Sequence, residues 1–201
     1  ILFTARCEEF KTEEGQKRGA EICKAHGIEG LVVIGGDGSF QGARKLAALG
    51  INTIAVPGTI DLDIACTEYT IGFDTAMNTA MEMIDKIRDT ASSHNRLFLI
   101  EVMGRDAGHI ALNAGIGAGA EEILIPEEDL GLERLLDSLK KSKSTGKTSS
   151  IVVIAEGDKT GKNVFELKDY VESNFPEYDV RVSVLGHMQR GGTPSCFDRV
   201  L

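Results

Sequence analysis

The sequence predicts an α/β fold of three αβα layers, with largely parallel, doubly wound sheets arranged in two lobes. Two observations lead to this prediction. Short apolar runs, rich in β-branched residues, alternate along the chain with longer amphipathic stretches, as in βαβ units. Within the runs the apolar residues are continuous rather than alternating, which is typical of strands buried on both faces of a parallel sheet.

The helical stretches show both periodicity and end signals. Gly27 and Gly50 directly follow the first two stretches, where a left-handed glycine commonly ends a helix. The third stretch repeats apolar residues at Phe73, Met77 and Ile84, a spacing that places them on one helix face. The predicted strands are 31–34, 53–56, 97–102, 123–125, 151–155 and 180–185, and the predicted helices are 13–26, 40–49, 73–88, 107–118, 130–141 and 164–171.

Composition limits the classes of function. Among 201 residues, 42% are hydrophobic and 26% charged, an ordinary globular balance. The net charge of −9 disfavours a nucleic-acid-binding protein. The four cysteines form no C-x-x-C pair, so we expect free thiols in a reducing, cytoplasmic environment. No apolar run is long enough to span a membrane, so we expect no membrane partner.

A glycine-rich loop follows the first predicted strand. Its sequence is GGDGS, and a helix is predicted directly after it. Glycines let backbone N–H groups approach a phosphate closely, and a helix N-terminus favours an anion. Asp37 supplies an oxygen ligand of the kind that magnesium prefers. The structural alternative is a tight turn in which Asp37 caps the helix.

Two carboxylates follow the second predicted strand, in the sequence PGTIDLD. Asp61 and Asp63 are two residues apart, so one carboxylate can accept a hydroxyl proton while the other orients magnesium or its water. The alternative is a solvated acidic loop. Because the two loops follow neighbouring strands, we expect them to face one crevice.

Three later strands also end in polar groups. Arg105 follows strand 97–102, where a guanidinium suits charge that develops on a transferring phosphoryl group. Glu156 follows strand 151–155, and His187 and Arg190 flank the turn after strand 180–185. We interpret these last residues as ligands of a second phosphate and of sugar hydroxyls. A surface ion pair and a structural histidine are the alternatives.

These loops, in this order, resemble the ATP-dependent, bacterial type of the phosphofructokinase family. The resemblance covers essentially all 201 residues. It implies that the γ-phosphoryl group of ATP is transferred to the 1-hydroxyl of fructose 6-phosphate in glycolysis, with Mg²⁺ required. The motifs that carry it are GGDGS, PGTIDLDI, SSHNR, EVMGR, AEG and VLGHMQRGGTP.

The resemblance also implies roles for individual residues. Asp61 is implied to be the base, assisted by Thr59 and Asp63, while Arg105 stabilises the phosphoryl group and Asp37 binds magnesium. The ATP site is implied to include Arg6, Cys7, Gly36, Gly38 and Ser39. Fructose 6-phosphate is assigned to Met103, Gly104, Glu156, His187 and Arg190.

Further residues imply subunit contacts. Arg96 and Arg181 match arginines that family members lend to the neighbouring subunit's sugar-phosphate site, which implies a homo-oligomer, a tetramer in bacterial relatives. An allosteric nucleotide site is implied at Arg88, Gly119, Glu121 and Lys147. Thr145 stands where the family has a second lysine, so retention of this regulation stays open.

Two departures from the family pattern stand out. Leu62 occupies a position that is usually Asn. The chain begins with Ile1 rather than Met, and we expect it to be a central segment without the Gly-rich loop and the C-terminal part of family members. Its activity in isolation therefore stays open. We predict a partial nucleotide-binding lobe over 1–56 and a catalytic and sugar-phosphate-binding lobe over 57–201.

Two other functions are compatible with parts of this pattern. Pyrophosphate-dependent phosphofructokinases typically carry Asp at the position of Gly38 and Lys at that of Gly58, and both side chains would fill space that the adenylate needs. Glycine at both positions favours ATP. A non-catalytic sensor of nucleotide or sugar phosphate is disfavoured because Asp37, Asp61 and Arg105 occur together.

Overall fold

A computed structural model describes residues 6–91, 96–128, 131–145 and 150–201. The chain divides into two compact units, the first formed by Ile1–Thr59 with Ile64–Thr67 and the second by Ile60–Asp63 with Glu68–Leu201. The functions assigned to residues 1–56 and 57–201 stay predictions.

The first unit contains a two-stranded parallel sheet and two helices. Strands β1 (Gly30–Gly35) and β2 (Asn52–Pro57) pair in register from Gly30 opposite Asn52. A 3-10 turn (Glu9–Lys11) precedes helix α1 (Glu13–Ala25), and helix α2 (Asp37–Ala48) connects the strands. A small core of Ala20, Leu46 and Ile51 joins these elements.

Both predicted glycine stops are confirmed. Gly27 and Gly50 have φ angles of 65° and 84°. The N–H of Ile28 donates to the carbonyl of Cys23, and that of Ile51 to Leu46. Each helix therefore ends in a Schellman motif, which satisfies carbonyls that lack partners within the helix.

The predicted start of α2 is wrong by three residues. The helix begins at Asp37 rather than at residue 40, because Gly36 occupies the N-cap position. Asp37 then lies in the first turn, where a carboxylate interacts favourably with the helix dipole. Asp37 and Gly38 thus belong to the helix rather than to a loop before it.

Burial of the first sheet also differs from the prediction. Val32, Ile34 and Ile54 are 67%, 59% and 68% exposed, so one face of β1–β2 is open to solvent. Both strands alternate between exposed and partly buried residues over most of their length. Continuous apolar runs indicated burial on both faces, but in this unit the helices pack on one face.

The second unit is built on a four-stranded parallel sheet. Its elements are α3 (Phe73–Ala91), β3 (Arg96–Val102), α4 (His109–Gly117), β4 (Glu122–Leu124), α5 (Gly131–Ser144), β5 (Ser150–Ala155), α6 (Val164–Asn174), β6 (Asp179–Val184) and α7 (Cys196–Val200). The strands lie in the order β4-β5-β3-β6. All of the strands and long helices that were predicted here are present, whereas the short α7 and a 3-10 turn at Gly186–Arg190 were not predicted.

Helices cover both faces of this sheet. Along β3, Phe98 and Ile100 pack in one cluster with α3 and α4, while Leu97 and Leu99 pack in another with α5 and α6. This alternation follows from the two-residue period of a strand. Residues 150–155 of β5 are all buried. The predicted three-layer, parallel α/β architecture is therefore confirmed for this unit.

Sequence details account for the close helix packing. A Cβ atom on Gly115 would lie 2.6 Å from the Ile123 side chain, so α4 approaches β4 closely and a larger residue there would displace Ile123. Asn163 caps α6 by accepting hydrogen bonds from the N–H groups of Phe165 and Glu166.

None of the helices in the described ranges combines the length and the apolar character needed to cross a bilayer.

Leu62 adopts a left-handed backbone conformation with a φ angle of 54°. Such a conformation costs a residue with a Cβ atom about 1–2 kcal/mol, whereas asparagine adopts it more readily. The Leu62 side chain is half-buried and packs against the cluster that includes Phe73 and Ile100. Leucine at this position therefore gains an apolar contact but has a less favourable backbone conformation.

We expect Leu62→Asn to unfold at a higher temperature than Leu62→Ala, although asparagine is the more polar residue. Both substitutions remove the apolar contact, but only asparagine relieves the left-handed backbone, a difference of about 1 kcal/mol. Thermal melts of the two variants and the parent give the order. A higher melting temperature for the alanine variant would contradict the backbone explanation.

Candidate active site

Three strands of the second unit end at the same edge of their sheet. Val102 of β3 lies opposite Ala155 of β5, and Glu101 lies opposite Val184 of β6. Because the strands are parallel, the turns that follow them leave from one edge. This edge carries the predicted residues Met103, Gly104, Arg105, Glu156, His187 and Arg190.

Glu156 fixes the turn after β3. Its Oε1 atom accepts hydrogen bonds from the N–H of Gly104 at 3.3 Å and of Arg105 at 2.7 Å. Arg105 has a φ angle of 54°, and Gly104 one of 144°. A Cβ atom on Gly157 would lie 2.1 Å from the Arg105 carbonyl oxygen, so the turn packs directly on the end of β5. The Glu156 carboxylate thus stabilises the left-handed backbone conformation from which the Arg105 side chain extends.

The Arg105 guanidinium faces Asp61. Nε of Arg105 lies 4.0 Å from Oδ2 of Asp61, and the Asp61 side chain is 13% exposed against 68% for Arg105. Burial raises the pKa of Asp61, and the negative charge of Asp63 raises it further, while Arg105 lowers it. Glu156 adds to the rise and Arg190 opposes it. The result is a half-enclosed carboxylate that holds a proton more readily than an ordinary aspartate.

This environment suits a proton acceptor. A carboxylate whose pKa is raised is a stronger base once ionised, and the neighbouring guanidinium can stabilise negative charge on a group bound between them. Asp63 is exposed and Leu62 separates it from Asp61. The roles of Asp61, Asp63 and Arg105 as catalytic residues stay predictions.

Gln189 links the turn after β6 to the turn after β3. It is 1% exposed, and its Oε1 accepts the N–H of Met103 at 3.3 Å while its Nε2 donates to the Gly186 carbonyl at 3.1 Å. His187 and Arg190 on either side of it are exposed. Sequence reasoning did not identify Gln189, since its burial depends on a contact 86 residues away.

Arg96 and Arg181 lie at the opposite edge of the same sheet. Arg96 begins β3, and its Nε is 3.1 Å from Oδ2 of Asp179. Arg181 binds the same carboxylate, with Nε 2.9 Å from Oδ1. Hydrogen bonds from Arg181 and Arg96 lower the pKa of Asp179. Both arginines are thus held together, at the edge away from Arg105, by a carboxylate that sequence reasoning did not identify.

The glycine loop lies in the first unit. The N–H of Gly58 donates to the Gly35 carbonyl at 2.9 Å, which extends the pairing of β1 and β2 by one residue. A Cβ atom on Gly36 would contact Thr59 at 3.5 Å. The ends of the two strands are therefore close, as the sequence predicted for these two loops. The Ser39 hydroxyl packs closely against Gly35, because a Cβ atom on Gly35 would lie 2.4 Å from Ser39 Oγ.

Gly38 and Asp37 are exposed in the first turn of α2. A Cβ atom on Gly38 would meet no atom within 4 Å, so this position is open. Asp37 contacts Gln41, whose Nε2 lies 3.4 Å from Oδ1. Arg6 and Cys7 are exposed ahead of the first 3-10 turn. All four residues, with Gly36 and Ser39, stay predicted ligands of ATP or magnesium.

The residues present fit a magnesium ion that arrives with its nucleotide. Within the described ranges, no three His, Cys, Asp or Glu side chains cluster as a metal cage. Magnesium in kinase sites commonly uses only one or two carboxylates, with phosphate and water oxygens as its other ligands. An exposed Asp37 beside an open glycine position is compatible with that arrangement.

The predicted allosteric residues have structural contacts at the end of α4. Gly119 has a φ angle of 64° and ends the helix, and the Arg88 guanidinium donates to the Ala118 carbonyl. Glu121 Oε2 accepts the N–H of Ile151 at 2.5 Å, which ties the following segment to β5. Lys147 lies outside the described residues. The effector site stays a prediction.

Comparison with known proteins identifies the family. The family model "Phosphofructokinase" matches residues 1–201. The chain is 57% identical over 201 residues to the ATP-dependent 6-phosphofructokinase of Halalkalibacterium halodurans, and 56% identical over 200 residues to that of Bacillus pumilus. The alignments cover 100% of this chain but only 62% and 61% of these two relatives.

Solved structures agree with this relationship. Phosphofructokinase of Pichia pastoris in the T-state matches with a TM-score of 0.91 and 34% identity, over 98% of this chain and 25% of the other. A pyrophosphate-dependent phosphofructokinase of Marinobacter aquaeolei matches with a TM-score of 0.79 and 27% identity, over 97% of this chain and 53% of the other. With a family model that matches from the first residue to the last, this chain belongs to the phosphofructokinase family.

Proposed function

We propose that the protein containing this chain transfers the γ-phosphoryl group of ATP to the 1-hydroxyl of fructose 6-phosphate, giving fructose 1,6-bisphosphate and ADP. The observation that carries the proposal is the Asp61–Arg105 pair, a half-enclosed base 4.0 Å from an exposed guanidinium. Relatives that are 55–57% identical to this chain have the name ATP-dependent 6-phosphofructokinase, which supports the choice of donor and acceptor.

In this mechanism Asp61 accepts the proton of the sugar hydroxyl as that oxygen attacks the γ-phosphorus. Arg105 stabilises the negative charge of the transferring group, and Glu156 holds Arg105 in place through two backbone hydrogen bonds. Thr59 and Asp63 assist at the same centre. Met103, Gly104, Glu156, His187 and Arg190 bind the sugar phosphate.

The ATP phosphates bind at the GGDGS loop. Gly36, Gly38 and Ser39 surround the start of α2, where backbone N–H groups and the helix dipole attract anions. Arg6 and Cys7 complete the nucleotide contacts. Asp37 would hold the Mg²⁺ ion, which neutralises phosphate charge when it is bound.

We further propose a glycolytic enzyme of the cytoplasm that works as a homo-oligomer, with the tetramer of bacterial relatives as the expected form. The four cysteines are unpaired, which supports a reducing compartment. Arg96 and Arg181 would bind the sugar phosphate of a neighbouring subunit, and Arg88, Gly119, Glu121 and Lys147 would line an effector site between subunits.

Pyrophosphate-dependent transfer is the second candidate, because two solved relatives with that activity in their names share the fold. Their identity to this chain is 27% and 25%, far below that of the ATP-dependent relatives. The open space at Gly38 also supports the larger donor. An assay of the full-length protein with fructose 6-phosphate and either ATP or pyrophosphate distinguishes the candidates, and turnover with neither would favour a sensor.

We expect Gly38→Asp to lower kcat/KM for ATP by at least about tenfold, because it places a negative charge beside the phosphates. Folding should survive, since the new side chain meets open space and aspartate is favourable in the first turn of a helix. Gly38→Ala, which adds a Cβ atom without charge, serves as the control. Equal losses in the two variants, or an equal loss of sugar binding, would contradict a phosphate site here.

We expect Asp61→Asn to lower kcat by about 10²–10⁴-fold while fructose 6-phosphate still binds. The substitution keeps the shape of the side chain and removes the base. Steady-state kinetics and a separate binding measurement on the full-length protein give both quantities. Turnover near that of the parent would show that Asp61 is not the base.

Asp61→Asn should also raise the melting temperature of the protein at neutral pH. Burial raises the pKa of Asp61 above its ordinary 3.8, so this group stabilises the fold below pH 3.8 and loses that contribution as pH rises through the raised value. The gain from asparagine should therefore shrink as the pH is lowered. Asp106→Asn, at an exposed carboxyl nearby, is the matched control and should show no such gain.

We expect subunits carrying Arg96→Ala to complement subunits carrying Asp61→Asn. In a mixed oligomer, the first supplies Asp61 and the second supplies Arg96, so some sites become complete. Arg105→Ala mixed with Asp61→Asn is the control, because both residues belong to one subunit's site and no complete site can form. Activity after mixing is compared with native mass spectra, and hybrids no more active than either parent would contradict a shared site.

A further inference from the structure

The segment after Arg190 is tied to the start of α3 by a buried carboxylate. Asp198 is 8% exposed. Its Oδ1 accepts the N–H of Gly72 at 2.9 Å, and its Oδ2 accepts the N–H of Thr75 at 2.8 Å. These are N–H groups at the first turn of α3, which have no partner within the helix. Asp198 therefore caps a helix from a position 123 residues away in sequence.

The contacts close into a ring of three residues, in which side chains and backbone N–H groups both take part. The Thr75 hydroxyl donates to Asp198 Oδ2, and the N–H of Ser195 donates to Thr75 Oγ1 at 3.0 Å. The N–H of Asp198 in turn donates to Ser195 Oγ at 3.2 Å. The ring joins the segment around Ser195 to the first turn of α3 through both the Asp198 carboxylate and the Thr75 hydroxyl.

The sequence signal here is misleading. Ser195 and Asp198 have the S-x-x-D spacing of a local capping box. Only half of that box forms, because Ser195 caps α7 while its own N–H binds Thr75. The Asp198 carboxylate, which would complete a local box, is directed to α3 instead. The pair therefore joins two parts of the fold rather than a single helix end.

This ring lies next to residues assigned to the sugar-phosphate site. A cavity of about 310 Å³ is lined by Thr75 and Asp198 together with Arg190, Gly191, Gly192 and Ile60, the residue before Asp61. A Cβ atom on Gly192, whose φ angle is 100°, would lie 3.5 Å from the Oγ1 atom of Thr79, one turn of α3 after Thr75. Gly191 and Gly192 give the backbone after Arg190 more conformational freedom than other residues would. The hydrogen bond of the Ser195 N–H to Thr75 restricts this freedom five residues after Arg190.

We propose that Asp198 is a positioning residue for the sugar-phosphate site, which it serves by anchoring the segment that carries Arg190 to the start of α3. Asp198 acts through Thr75 and Ser195 rather than by contact with substrate. On the other side of Arg190, Gln189 holds the turn to Met103. The inference rests on the proposed function, because Arg190 is a sugar-phosphate ligand only under that function.

Asp198→Ala in the full-length protein is expected to raise KM for fructose 6-phosphate by about tenfold, the factor typical of losing one such interaction. KM for ATP and kcat are expected to stay within about threefold of the parent, because the ring does not touch the predicted base or nucleotide loop. Asn163→Ala removes the cap of α6 and serves as the destabilised control. It should lower the melting temperature and leave KM for the sugar unchanged.

Two variants of Thr75 test the same proposal if Asp198→Ala does not fold. Thr75→Val removes the hydroxyl of the ring at constant shape and should raise the same KM, while Thr75→Ser restores the hydroxyl and should return it to the value of the parent. An unchanged sugar KM in Thr75→Val, or equal increases for sugar and ATP, would overturn the proposal.

Kinetic measurements on Arg190→Ala and on the parent protein distinguish failure of the proposed function from failure of the positioning role of Asp198. A parent that does not turn over fructose 6-phosphate with ATP overturns the proposed function. An active parent in which Arg190→Ala raises KM for the sugar, but Asp198→Ala and Thr75→Val do not, overturns the positioning role alone. A shared increase in all three variants supports both.

Discussion

The parallel register of β3 with β5 and β6 determines where the candidate catalytic groups lie. Since Val102 pairs with Ala155 and Glu101 with Val184, the three strands end at one level and their turns meet at one edge. Contacts between the turns then become possible, and Glu156 and Gln189 provide them. A slip of one residue in either pairing would reverse the faces of a strand and separate these contacts. The buried apolar faces of β3 and β5 oppose such a slip.

The electrostatics of the edge depend on this convergence. Asp61 is affected by burial, by two further carboxylates and by two arginines, which act in opposite directions on its pKa. Burial and like charge together outweigh the arginines, so the pKa is raised. A base in this setting is stronger than a solvated aspartate, while Arg105 still offers positive charge to an anionic group. At the other edge the balance is reversed, since two arginines lower the pKa of Asp179.

Local signals predicted the elements of the fold well, and failed where the outcome depends on distant residues. Runs of apolar residues identified all six described strands, and Gly27 and Gly50 marked two helix ends. One face of β1–β2 is exposed in this chain, which spans about 62% of the length of its curated relatives, so its exposure is not evidence against the burial that the apolar runs predict. The partners of Asp198 and Gln189 lie 123 and 86 residues away, so no local pattern identifies them. The candidate site residues were predicted from loop motifs, whereas the residues that hold those loops were not.

Left-handed backbone conformations occur at two residues beside the predicted base. Leu62 and Arg105 both have φ angles of 54°, and they are respectively the neighbour of Asp61 and its ionic partner. Each such residue costs about 1–2 kcal/mol, which a fold retains only where surrounding contacts enforce the conformation. At Arg105 the enforcing contacts are two hydrogen bonds to Glu156, and at Leu62 they are apolar. If the two turns served only as connections, glycine or asparagine would meet their conformational needs more easily. An arginine at a left-handed position is consistent with the predicted role of its guanidinium, although Cys66 adopts the same conformation without an assigned role.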